Sequence, residues 1–178
     1  RYKPRDVITG ITNGLGATTT LVYAALTNNA VYLRDTGSRD SVATSTWGRG
    51  AAVMDLLMPS YVVARAASTA PSDGNPNGVA KLFYRYAGAK MQAGGRGFLG
   101  FREIVTTDPN ESGGYVTTQT TYNQNFPYVG MPARTIKRAV ISGTYTVPDC
   151  LTSTISDACF YTVGATFPTL PGSWFSDN

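Results

Sequence analysis

The chain has 178 residues, a formal net charge of +4 and no histidine. The missing histidine excludes Ser-His-Asp and Cys-His catalysis, His-ligated zinc and a His proton shuttle within this chain. Charged residues are 15% of the total, against roughly 25% in ordinary globular domains. Hydrophobic residues reach 42%, and 19 glycines and 10 prolines accompany many threonines, which describes a turn-rich β protein and not a disordered tail.

Lys and Arg are mostly dispersed, the densest group being Arg134, Lys137 and Arg138, which speaks against a nucleic-acid partner. The longest apolar run, AAVMDLLM, is short and broken by Asp55, so no membrane-spanning helix is expected. The length suits a single β-rich domain or fragment over residues 1–178. Within it, 1–139 reads as a hairpin region and 140–178 as an unassigned C-terminal extension. Because it begins at Arg1, we read the chain as a segment of a longer or processed polypeptide.

In chain order, the first unit is DVITGITNGLGATTTLVYAAL. Two β-rich runs, Val7–Thr12 and Thr18–Tyr23, flank Asn13-Gly14-Leu15-Gly16, and Asn-Gly between such runs predicts a hairpin through residues that tolerate positive φ. A polar stretch follows, with a short strand expected at Val31–Leu33. Pro59 and the run Tyr61-Val62-Val63 argue for a strand over Tyr61–Ala67 and leave Val53–Met58 open between helix and strand. The loop TAPSDGNPNG leads into VAKLFYRYAG, where Leu82, Tyr84 and Tyr86 alternate with Phe83 and Arg85. FLGFREIVTTD and YVTTQTTYNQ then form a further hairpin about PNESGG. Alternation resumes from Thr135, and the tail TLPGSWFSDN carries no clear pattern. The fold class expected is all-β, serial antiparallel hairpins forming a curved sheet or barrel-like unit.

The densest motif is Gly94-Gly95-Arg96-Gly97-Phe98-Leu99-Gly100-Phe101. A dinucleotide loop needs a strand before and a helix after it, whereas here a strand follows, and no GK[ST] supports a P-loop. The motif therefore reads as the tight lead-in to a strand. Phe98 and Phe101 are three apart and would face opposite ways on a regular strand, unless Gly100 marks a bulge. Arg96 and Arg102 are expected to pair with acids of neighbouring hairpins.

Most acidic residues, Asp35 among them, sit in turn contexts where Asp bonds its own backbone. Asp55 and Glu103 lie in more apolar surroundings and are the candidates for a carboxylate-based hydrolase, a minor alternative. Tyr84, Tyr86 and Tyr128 are candidate stacking rings for a sugar, the alternative being a β-sandwich carbohydrate- or cell-surface-binding module. Cross-strand aromatic pairing within the sheet is the favoured explanation of such rings. Cys150 and Cys159 bracket a polar loop that a disulfide would close in an oxidising compartment, the contrary reading being two buried thiols. No metal site, no cofactor and no catalytic residue are expected.

Four stretches, ITNGLGATTTLVY, DLLMPSYVVARAAS, LFYRYAGAKMQAGGRGFLGFREI and TTYNQNFPYVGMPARTIKR, resemble large Rhs/YD-repeat proteins in this order. The likeness is to the segment between the FG-GAP-type propeller and the repeat shell in the B component of insecticidal toxin complexes and in related virulence proteins. It covers roughly Val7 to Lys137. Tyr84–Phe101 is its most specific part and Asn125–Arg134 the second. The repeat dipeptide Tyr-Asp is absent. The resemblance implies a non-enzymatic structural segment of a secreted or cell-envelope bacterial protein whose β-hairpins coil into a cage that encapsulates and delivers a toxin domain. Its partners would be the remainder of the toxin-shell polypeptide or other toxin-complex subunits. An isolated segment would expose strand edges and could dimerise through them.

Overall fold

A computed structural model describes residues 6–35, 53–109, 114–140 and 174–177. These residues form strands and turns and contain no helix. The strands are β1 (Gly10–Thr12), β2 (Thr18–Ala25), β3 (Tyr32–Leu33), β4 (Val53–Asp55), β5 (Tyr61–Thr69), β6 (Val79–Gln92), β7 (Gly97–Pro109), β8 (Tyr115–Tyr122), β9 (Pro132–Val140) and β10 (Trp174–Asp177). They make one sheet in the order β1-β2-β5-β6-β7-β8-β9-β10, with β3 and β4 also pairing to β6. Among the described residues the path is open, so of the two expected forms the strands make the sheet and not the barrel-like unit. All pairings are antiparallel except β3 with β6.

The first hairpin forms where Asn13-Gly14 predicts it, but through different chemistry. Positive φ falls on Gly16, at 82°, and Asn13 acts through its side chain. Its Oδ1 accepts from the backbone N–H groups of Leu15 (3.0 Å) and Ala17 (2.9 Å), an Asx-type turn. The open stretch Val53–Met58 resolves into β4, which lies against Lys90–Gln92 of β6. The unpatterned tail supplies β10, in register from Trp174 opposite Ala139 to Asp177 opposite Ile136. Four residues are too few for a period-2 signal to emerge.

The centre of the sheet is β6, a strand of 14 residues bordered by other strands along both edges. One edge belongs to β7, from Phe83 opposite Thr107 to Gln92 opposite Gly97. The other is shared end to end by β5, β3 and β4. The core gathers beside this strand in two adjoining clusters. Ala24, Val31, Ala64 and Phe83 form one; Leu26, Tyr32 and Ala89 form the other. Val62 and Tyr86 pack against both. Small alanines let β2, β5 and the turn after β2 approach closely, while Phe83 and Tyr32 fill the space, each contributing about 2 kcal/mol by burial.

The turn that delivers Tyr32 is set by buried Asn28. Its Oδ1 accepts from the Ala30 N–H at 2.9 Å, and its carbonyl accepts from Val31 and Tyr32. Tyr32 is 1% exposed, and its hydroxyl donates to the Leu56 carbonyl at 2.7 Å while accepting from the Ala89 N–H at 3.2 Å. One phenol thus ties the segment after β4 to β6. Burial is the main reason its pKa is raised.

Gly88 interrupts β6 at φ 62°, and a Cβ there would collide with the Asp35 carboxylate and the Arg102 Cβ. Gly95, at φ 101°, meets open space. Gly95→Ala should therefore cost only the left-handed backbone term, about 1–2 kcal/mol. Gly88→Ala should cost that term plus displacement of Asp35 and Arg102, and so lower the denaturation midpoint clearly further. Equal midpoints for the two variants would contradict this packing.

Candidate functional site

The motif Gly94–Phe101 forms the turn and first residues of the β6–β7 hairpin. Ala93–Arg96 make the turn, and β7 starts at Gly97. Gly100 has φ 85°, and the register steps from Lys90 opposite Gly100 to Met91 opposite Phe98, leaving Leu99 as the extra residue of a bulge. The bulge shifts the parity of the strand by one. Phe98 and Phe101 consequently meet edge-on, with ring centroids 5.6 Å apart. Phe101 packs on Tyr86 at 4.8 Å and on Tyr32 at 6.3 Å. Phe98 remains 53% exposed, and it is Leu99, at 3%, that is buried.

The bulge is held from the next connection. Gln124, two residues beyond β8, is 4% exposed and uses both amide hydrogens, donating to the Gly88 carbonyl at 2.8 Å and the Gly100 carbonyl at 2.9 Å. The carbonyls of two glycines with positive φ are thus engaged by one buried side chain. Two residues later, Phe126 lies under the Arg96 guanidinium, 4.2 Å from ring centroid to Cζ. Arg96, expected to pair with an acid, instead stacks on a ring.

Arg102 does find an acid, though not a hairpin neighbour. Its Nε and Nη2 donate to the two oxygens of Asp35 at 3.0 and 2.9 Å, a bidentate pair across 67 residues of sequence. Asp35 thus anchors the end of the β3 segment to β7. Arg102 also approaches Glu103 at 3.4 Å, and Glu103 accepts from Gln119 Nε2 at 2.9 Å. The hydrolase candidate Glu103 is therefore committed to a hydrogen-bonded network on the sheet.

The three candidate stacking tyrosines are not one platform. Tyr86 donates its hydroxyl to the Val63 carbonyl at 2.9 Å, and one side of its ring is covered by Phe101. Tyr84 stacks near-parallel to it, centroids 6.5 Å apart. Desolvation pushes the Tyr86 phenol up to about 12. These two rings are engaged in packing. Tyr128 stands on the connection between β8 and β9 and is 57% exposed. Cys150 and Cys159 lie outside the described residues. Among the described residues there is no cluster of metal-ligating side chains and no helix long and apolar enough to cross a membrane.

Two outcomes follow. Gln124→Leu should keep the buried volume but strand two carbonyls, lowering unfolding free energy by about 2 kcal/mol in denaturant titration; a loss under about 0.5 kcal/mol would deny the clasp any energetic role. Hydrogen bonds from Arg102 hold the Asp35 carboxyl below the ordinary carboxylate value. A depressed folded pKa stabilises fully above the unfolded value of about 3.9 and loses that contribution as pH falls through the folded one. With Arg102 partly exposed, the pair should be worth about 1 kcal/mol. The stability gap between the parent chain and Asp35→Asn should hold constant from neutral pH down to about pH 5 and close below about pH 4. A gap that widens on acidification would be the wrong sign.

Residues 1–130 match the family model of the insecticide toxin TcdB middle/N-terminal region, which takes in β1 to β8, the hairpin turn and the Gln124 clasp. No curated protein and no solved structure matches the chain. With 130 of 178 residues matched, the chain belongs to the family of insecticide toxin TcdB middle/N-terminal regions.

Proposed function

We propose that this chain is a non-enzymatic structural segment of a larger secreted toxin-complex protein of the Rhs type, and that its sheet forms part of the wall enclosing a toxin domain until delivery. The family match over 1–130 is the observation that carries this reading. The use of the polar side chains supports it. Arg102, Asp35, Glu103, Gln119 and Gln124 bond to one another or to backbone, which fixes the sheet. The sheet is open, with strands β1 and β10 at its ends, a form that gains from pairing with further chain.

The test is the size and behaviour of the native polypeptide that carries this sequence. It should be several times the 19.0 kDa of this chain, and its C-terminal region should resist protease until the β sheet is disrupted, for example by Phe83→Asp in the core. A mature product of about 19.0 kDa, or protease resistance of the C-terminal region unchanged in a Phe83→Asp polypeptide that has lost β structure, would overturn the scaffold reading.

A further inference from the structure

The hairpin turn and the connection 123–131 meet at one end of the sheet and present large apolar side chains to solvent. Phe126 is 65% exposed, Tyr128 57%, Met131 55% and Phe98 53%. Isolated exposed apolar residues are ordinary, but a group on two clasped segments marks an interaction surface. This group is held rigidly. Gln124 fixes the start of the connection to Gly88 and Gly100, and Arg96 stacks on Phe126. Backbone bonds from Tyr128 to the Asn125 carbonyl, Gly130 to Asn123 and Met131 to Tyr128, all 2.8–2.9 Å, fold the connection on itself. A surface so ordered before binding loses little entropy on binding.

Its charge narrows the partner. Across residues 93–101 and 123–133, Arg96 is the one charged residue. It has no carboxylate partner among the described residues, its contact being the Phe126 ring. A second copy docking face to face would set Arg96 against Arg96, on chains that each carry +4. A lone cation within an apolar surface is matched instead by a carboxylate among apolar side chains. We propose that this end of the sheet docks an acidic, apolar segment from another part of the larger polypeptide; the inference rests on the scaffold reading above.

The experiment uses the intact polypeptide with p-benzoyl-phenylalanine in place of Tyr128, and in a second preparation in place of Met131. After irradiation, the linked peptides are identified by mass spectrometry. The expected product is an intramolecular link to an apolar residue outside these 178 residues, with Asp or Glu within a turn or so of the linked site. Arg96→Glu should lower its yield about tenfold and Arg96→Lys should largely retain it. A link to a second copy, a link only to lipid when phosphatidylglycerol vesicles are added, no link from either position, or indifference to Arg96→Glu would each overturn the docking. A large polypeptide with no link would overturn the docking alone, whereas a native product of 19.0 kDa would remove both readings.

Discussion

The structure depends on keeping one long strand, β6, bordered along both edges although on one of them no single neighbour is long enough to do so. On one side β7 alone follows it from Phe83 to Gln92. On the other, β5, β3 and β4 divide it in series, and the breaks between them must be closed by other means. Tyr32 and Asp35 do this. The Tyr32 hydroxyl links the Ala89 amide to the Leu56 carbonyl, and the Asp35 carboxylate grips Arg102 on the far strand. Both residues lie in or just after β3, a strand of two residues, so this minor element carries contacts out of proportion to its length.

The second constraint follows from the first. A hairpin of this length cannot stay regular while wrapping around Asp35, and two glycines with positive φ, Gly88 and Gly100, accommodate the distortion. Gln124 donates to the carbonyls of both. The clasp draws the β8–β9 connection over the hairpin turn, which in turn brings Phe126 beneath Arg96. A local backbone requirement near the middle of β6 is thereby transmitted to the surface at the end of the sheet, where Phe98, Phe126 and Tyr128 are displayed. In a family of toxin-complex regions, a sheet that is rigid at its centre and apolar at one end suits a part that is joined to other parts.

Much of the sheet is legible in the sequence because threonine, valine and tyrosine alternate over strands of eight or more residues, and because Asn13-Gly14 and the loop TAPSDGNPNG punctuate them. The bulge at Gly100 is legible as well, since Phe98 and Phe101 can share a side only if the strand slips by one. The elements lost to the sequence are short or depend on distant partners. The short strand expected at Val31–Leu33 is present as β3; β4 and β10, with three and four residues, lie below the length at which periodicity means anything. Asp35 has the flanks of a turn aspartate, and nothing near it announces a guanidinium 67 residues later. Gln124, between two asparagines, reads as loop; only the three-dimensional meeting of Gly88 and Gly100 gives it a role. Tyr86 shows the converse. Its aromatic, β-rich context admits ligand stacking but favours cross-strand packing, and its bond to Val63 and contact with Phe101 are packing contacts.

Amide hydrogen exchange on the intact polypeptide tests most directly whether β6 is the spine of the segment. Exchange should be slowest in 79–92 and in 97–107, with the Tyr86 amide, bonded to the Val31 carbonyl at 2.8 Å, and the Ala89 amide, bonded to the Tyr32 hydroxyl, among the last to exchange. Loop 70–78 should exchange early. Exchange across Tyr86–Lys90 as fast as in that loop, with the outer strands protected, would contradict a structure organised around β6.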